Sequence, residues 1–573
     1  MKILKFLIKS LWGLVKFLIK EIASFIIKGC LLLFIIAVIV AASIKEPSES
    51  KKVAQPGTFI RIDMSQKYNE SVDYLPKFLV GDRDNFYGFL KKLNAIKEDK
   101  NVSGLLLDID DLSLSNAQIE ELSKKLEELK KSGKYIISYA ENMDNRNYTL
   151  ALAGNEIIMP YTETAGVNIT GYYTELGYYK GLADKIGVDF NVIHVGDYKA
   201  FGENYTRKTM SKEYRDNITE LKDRVYQNFI NKIIEHRDLL VDDINGDILA
   251  GKLVNGDVKD LILYGMLNAL KDESTIISEI GRERVMNLEE YDADIKEIRG
   301  DKIAVIYAEG EIRTDGGENQ DIINSITPGK IIEQLNTVMD DNRVKGIVLR
   351  VNSPGGSALG SNLIYHKLLE VGEKKPIYIS IGGVAASGGY YISCAGEKIF
   401  ADKESITGSI GVVSIIPNFR KLLGKADVNM EIVKKGKYSD LYSFSKEFTE
   451  DDRKKIYEKS LKVYKEFLGV VVDSRNRGVD YIDSIAQGRV WLGEQGKELG
   501  LVDEIGGLED TIKALAASID LEEYEVVEIV QKPKLNAILK NNIPLLKNYF
   551  KIETLINDKE LYFKPLYYFP YKI

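Results

Sequence analysis

The chain has 573 residues, is 45% hydrophobic and 29% charged, and carries a net charge of −8. That length supplies two sizeable cores rather than one, the composition excludes wholesale disorder, and the negative balance gives a nucleic-acid partner no electrostatic support. Two cysteines far apart (Cys30 and Cys394) and three scattered histidines argue against a disulfide between them and against a structural zinc site; no metal or cofactor is implied.

The N-terminus has its own pattern. Lys2, Lys5, Lys9, Lys16 and Lys20 fall on one face of a helix whose remaining surface is Leu, Ile, Phe and Trp12. Residues 1–21 therefore read as a basic amphipathic helix lying on an anionic cytoplasmic leaflet. Residues 22–44 follow, apolar except for Ser24, Lys28 and Ser43, and long enough for a helix to cross the hydrocarbon core. Lysines before the span outnumber those just after it, so the positive-inside rule keeps the N-terminus cytoplasmic and sends everything beyond residue 45 outside. The expectation is a single-pass protein of the cell inner membrane with periplasmic domains. The competing reading is a cleaved signal peptide, with small residues at 40–43 near a cut site, but the charged region is long for one.

Beyond the span the chain contains itself twice. Val344-Lys-Gly-Ile-Val-Leu-Arg-Val351 superposes on Val102-Ser-Gly-Leu-Leu-Leu-Asp-Ile109 at a shift of 242, and the same shift sets Ala395-Gly396 on Ala153-Gly154. Gly251–Gly256 matches Gly488–Gly493 at a shift of 237, a drift that loop insertions explain. In the second copy, strand-like runs at 303–307, 347–351, 377–381 and 398–401 alternate with helical patterns at 330–339, 362–371 and 387–394. That alternation predicts an α/β fold with a largely parallel sheet in each copy. The expected domains are 57–295 and 300–530, joined by the charged stretch 292–301. An aromatic-rich tail, 531–573, matches neither copy and suggests packing on the domains or contact with the membrane interface.

Three segments of the second copy carry chemistry. Val351-Asn-Ser-Pro-Gly-Gly-Ser357 follows a buried-looking strand, and its glycines let the backbone turn sharply and bare its N–H groups, although a plain strand-to-helix turn would look the same. Gly382-Gly-Val-Ala-Ala-Ser387-Gly-Gly-Tyr-Tyr391 places Ser387 among small residues at a strand-to-helix turn, either as a nucleophile or simply as an N-cap. Ile406-Thr-Gly-Ser409-Ile-Gly411 offers Ser409 as a partner for a catalytic base. Of the imidazoles, His194 sits in an alternating strand and His366 in an amphipathic helix; with His236 they make a poor case for a Ser–His–Asp triad.

In this order the three segments resemble the signal peptide peptidase A family (bacterial protease IV, long form), whose core shares the crotonase-like fold of the caseinolytic protease subunit. The resemblance covers 57–530 and is strongest over 344–411. It implies two tandem crotonase-like domains, Ser387 as nucleophile, and the backbone N–H groups of Gly356 and Gly388 as oxyanion hole. It also implies a lysine base, Lys199 in Val195-Gly-Asp-Tyr-Lys199-Ala of the first copy, with Ser409 orienting its amine. The matching run in the second copy, Lys435-Gly-Lys-Tyr-Ser439, has Ser at the base position, while the first copy has Asn145 at the nucleophile position and Leu112-Ser-Leu114 in place of Pro354-Gly-Gly356. Each copy keeps what the other lacks, which a merely decayed domain would not explain. Lys437, two residues before Ser439, is a competing base. By the same resemblance, substrates are remnant signal peptides and other small apolar unfolded peptides, cut in a homo-oligomer, a tetramer in the family. The rival readings are an acyl-CoA enzyme of the same fold and an inactive membrane scaffold.

Overall fold

The computed structural model describes residues 51–71, 84–237, 239, 243–293, 300–314 and 325–530, and the backbone of 566–568. The expected basic helix, the expected membrane span, most of the 292–301 linker and all but three residues of the tail lie outside the described residues. Among the described residues no helix is long and apolar enough to cross a membrane. The described residues from 53 onward, both copies included, belong to one compact unit.

The first copy runs through β1 (Thr58–Asp63), α1 (Phe86–Glu98), β2 (Val102–Asp108), α2 (Asn116–Lys131), β3 (Tyr135–Tyr139), α3 (Asn145–Ala151) and β4 (Glu156–Met159). It continues with β5 (Asp189–Val195), the long α4 (Lys212–His236), β6 (Ala269–Leu270) and β7 (Val285–Asn287). Six of these strands make a parallel sheet in the order β6-β4-β3-β2-β1-β7. β5 is not among them.

The second copy repeats the plan. Its elements are β8 (Lys302–Glu309), β9 (Glu311–Ile312), β10 (Ser325–Ile326), α5 (Pro328–Asp340), β11 (Val344–Ser353), β12 (Gly355–Ser357) and α6 (Ala358–Gly372). There follow β13 (Ile377–Ala386), α7 (Gly388–Ser393), β14 (Lys398–Ala401), β15 (Ile406–Gly408), β16 (Val412–Asn418), α8 (Glu450–Arg475), β17 (Val490–Leu492), β18 (Glu504–Ile505), α9 (Leu508–Ser518) and β19 (Glu525–Ile529). The main sheet has the order β17-β15-β13-β11-β8-β19, with β14 pairing β13 and β18. Its central strands are near-continuous apolar runs because helices cover both faces; in β11, Ile347, Val348, Leu349 and Val351 are all fully buried. The duplication shows in the caps as well. Ser115 and Ser357, 242 residues apart, each accept a backbone N–H at the start of α2 and α6. This is an α/β fold of the Clp-protease type with mixed sheets.

A third sheet joins the copies. Its order is β10-β9-β12-β20-β16-β5, where β20 is Leu566–Tyr568 of the tail. Within it, β5 of the first copy pairs antiparallel with β16 of the second over seven residues, from Val195 opposite Val412 to Asp189 opposite Asn418. Elsewhere between the copies the buried Arg350 guanidinium reaches from β11 to Glu70 at 3.0 Å and Glu121 at 2.6 Å in the first copy, and to Ser380 Oγ at 2.9 Å in β13. Asn217 of α4 exchanges two hydrogen bonds with the Val490 backbone. Polar groups removed from water need such partners, and these are drawn from across the seam.

Candidate active site

β13 ends at Ala386, and Ser387 turns the chain into α7 with φ 57° and ψ −118°, a conformation that non-glycine residues adopt only under strain. Its N–H donates to Gly408 O at 2.8 Å, and its carbonyl accepts from Tyr391 N at 2.9 Å, so both neighbours hold the turn. Ser387 stands at the N-cap position of α7, yet its side chain makes no capping hydrogen bond. Its Oγ instead lies 2.7 Å from Lys199 Nζ.

Lys199 arrives from the other copy. β5 hydrogen-bonds to β16 as far as Val195, and the next residues bend inward, with Tyr198 N donating to Gln487 O at 2.8 Å. The lysine stem then passes over two glycines. A Cβ on Gly488 would lie 2.5 Å from Lys199 N and 2.6 Å from its Cα, and one on Gly411 would lie 3.1 Å from Lys199 Cδ. Nζ also lies 2.8 Å from Ser409 O and 2.9 Å from Ser409 Oγ. Ser387, Lys199 and Ser409 are 0, 2 and 2% exposed, and among the described residues no carboxylate reaches the amine. Burial alone pushes the Lys199 amine well below the ordinary lysine range.

Facing Ser387 is β12. Gly356 holds φ 146°, and a Cβ there would meet Ile312 O at 2.1 Å, so only glycine fits. A Cβ on Gly388 would sit 3.3 Å from Gly356 N, which places the backbones of these two glycines side by side next to Ser387. The five residues singled out by sequence thus converge on one buried point.

The alternatives go elsewhere. Lys437 is exposed and pairs with Asp451 at 2.9 Å, and Ser439 is likewise on the surface. His194 is exposed on β5, His236 faces Glu127 at 3.8 Å, and His366 lies edge-on to Tyr365. At the position of Ser387 in the first copy, Asn145 clasps the Thr170 backbone, donating at 2.6 Å and accepting at 2.8 Å. Among the described residues no group of three or more His, Cys, Asp or Glu is placed to hold a metal ion. Sequence reasoning missed Gly488 and Gly411 as the bed of the lysine stem. Gly488 had stood out only as a mark of the repeat.

Comparison with known proteins identifies the family. The model of peptidase family S49 matches residues 128–252 and 370–522, and that of Clp protease matches 302–405. The chain is 30% identical over 521 residues to Protease 4 of Salmonella typhi, covering 87% of this chain and 80% of that one. It is 30% identical over 447 residues to Protease 4 of Haemophilus influenzae, covering 73% and 71%. It is 29% identical over 450 residues to the chloroplastic serine protease SPPA of Arabidopsis thaliana, covering 76% of this chain and 65% of that protein's length.

Proposed function

The chain belongs to peptidase family S49, and from that premise we propose that it is a serine peptidase working through a Ser387–Lys199 dyad built from both copies. The observation that carries this reading is the 2.7 Å approach of Lys199 Nζ to Ser387 Oγ across 188 residues of sequence. A neutral amine has two N–H groups and one lone pair. With the N–H groups spent on Ser409 O and Oγ, the lone pair is left for the Ser387 hydroxyl. Lys199 takes that proton as Oγ attacks the scissile carbonyl, and the N–H groups of Gly356 and Gly388 receive the oxyanion. The resulting ammonium hands its proton to the leaving amine. Lys199 then activates the water that cleaves the acyl ester.

In this reading the substrates are remnant signal peptides and other small apolar unfolded peptides. Residues 22–44 anchor the enzyme in the inner membrane with both copies periplasmic. Assembly into a homo-oligomer, a tetramer, belongs to the same proposal. Its support is residues 429–435, the counterpart of β5 at a shift of 240, which form no strand; Met430, Ile432 and Val433 are exposed there. The test of the dyad is Ser387→Ala. It is expected to abolish hydrolysis of an internally quenched apolar peptide, and labelling by a serine-directed acylating probe, with the circular dichroism spectrum unchanged. Hydrolysis at the wild-type rate would remove Ser387 from the mechanism.

A further inference from the structure

Three consecutive residues, Gln487, Gly488 and Arg489, tie the loop of the base to the loop of its orienting serine. Gln487 O accepts the N–H of Tyr198, one residue before Lys199, at 2.8 Å. Gly488 lies beneath the Lys199 backbone, and its own N–H donates to Ile410 O at 2.7 Å. Arg489 O accepts the Ser409 N–H at 2.7 Å, and its guanidinium stacks over the Tyr198 ring at 5.0 Å. The place of Lys199 Nζ between Ser409 and Ser387 is thus set by a run that belongs to neither loop. That run is strained. Gln487 holds φ 55° and Ser409 holds φ 53°, left-handed values that glycine adopts freely and that other residues keep only when their surroundings enforce them.

A glutamine in a turn that suits glycine implies a task for its side chain. Gln487 Nε2 donates to Asp483 Oδ1 at 2.7 Å, on the short helix Val479–Ile485 that ends just before it. Tyr464 of α8 donates its hydroxyl to the same Asp483 oxygen and accepts the Gln487 N–H on Oη at 3.4 Å. Tyr464 is buried, and burial pushes its phenol up, so the hydroxyl keeps its proton for Asp483. A closed ring of three hydrogen bonds therefore pins Gln487 by side chain and backbone together. We propose that Asp483 and Tyr464 are positioning residues: through Gln487 they hold the 487–489 run, and with it the Lys199 amine, in line with Ser387 and Ser409. The proposal rests on the peptidase reading for what the amine does, and none of the three residues touches the reacting atoms. Released from the ring, Gln487 relaxes out of its left-handed turn and carries Tyr198 and Lys199 with it. A misplacement of about 1 Å is enough to slow such a reaction about 10²-fold.

The test measures hydrolysis of an internally quenched apolar peptide by the full-length chain and its variants, with folding checked by circular dichroism. Asp483→Ala and Tyr464→Phe are each expected to lower kcat by about tenfold to 10²-fold, with KM within about twofold. Asp483→Asn keeps a carbonyl oxygen able to accept both bonds that Asp483 Oδ1 now takes, and is expected to restore most of kcat. Gln487→Gly separates the tether from the turn. It relieves the backbone and is expected to lower kcat about as far as Asp483→Ala; a kcat at or above the wild-type value would overturn the proposal, since the turn alone would then suffice. A second readout needs no activity. A buried neutral amine makes stability in urea rise with pH relative to Lys199→Met. In the Asp483→Ala background, with the amine displaced, that rise is expected to fall to about half or less. A rise unchanged by Asp483→Ala overturns the positioning and leaves the peptidase reading standing. A rise absent from the wild type overturns both.

Discussion

Lys199→Met removes the amine and keeps an unbranched stem, which isolates the charge from the packing. The amine is buried, with hydroxyl and carbonyl oxygens around it and, among the described residues, no carboxylate, so folding pushes its pKa down by desolvation. Unfolded, a lysine titrates near 10.4. Between the depressed folded value and about 10.4 the wild type sheds a proton on folding, so its stability rises with pH, by about 1.36 kcal/mol per unit. Below the folded value and above about 10.4 the slope vanishes. The Met variant has no such proton. Measured by urea unfolding at pH 8.0 and 9.5, the stability of the wild type relative to Lys199→Met is expected to grow with pH, by at most about 2 kcal/mol across the interval. Peptide hydrolysis by the wild type is expected to fall as pH drops through the folded value and the amine charges. In Lys199→Met it is expected to be lower by about 10³-fold, or about 4 kcal/mol of barrier, within the range for a lost general base. A stability difference flat with pH would mean that the amine keeps its ordinary pKa in the fold. The base assignment would then fail, as it would if the Met variant cut peptides at the wild-type rate.

Gly488→Ala forces a Cβ to within 2.6 Å of the Lys199 backbone at a φ of +80°, and is expected to lower kcat on the order of 10²-fold by displacing the amine. Gly469→Ala in α8, where a Cβ meets nothing within 4 Å, is the control expected to leave kcat unchanged. Lys437→Ala is expected to hydrolyse peptides within about twofold of wild type, because Lys437 faces solvent and pairs with Asp451; a loss comparable to that of Lys199→Met would reinstate it as the base. Arg350→Met leaves the buried carboxylates of Glu70 and Glu121 without their partner and is expected to cost about 3–5 kcal/mol in urea unfolding. Adding Glu70→Gln and Glu121→Gln should recover most of that; a loss under about 1 kcal/mol would mean the cluster carries little of the seam.

Ser387 was legible because its requirements are local. A small-residue strand end, a strained turn and flanking glycines all fall within a few positions. Lys199 was pointed to by the family resemblance, since a lone lysine in a Gly-Asp-Tyr-Lys run says nothing by itself, and the repeat added only that its counterpart is Ser439. The strand runs were found with their ends clipped. The run expected at 377–381 extends to Ala386 and that at 303–307 to Glu309, because polar and small residues at strand ends weaken the apolar signal while the ladder continues. What could not be read was whatever depends on a distant partner. Arg350 looks like the polar position of an ordinary strand until Glu70 and Glu121, 280 and 229 residues away, enclose it. The pairing of β5 with β16, and of the tail with β12, has no local pattern at all.

If Lys199 and Ser387 act as proposed, their separation along the chain also sets when the enzyme can act. In the proposed mechanism a ribosome delivers the base first, the nucleophile 188 residues later, and the outermost strand of the second main sheet, β19, later still. A chain caught before residue 387 holds an amine with nothing to deprotonate. Proteases commonly guard this interval with a removable pro-segment. In the proposed mechanism the order of the residues does so: the newborn polypeptide is harmless to itself and its neighbours until its two copies have met.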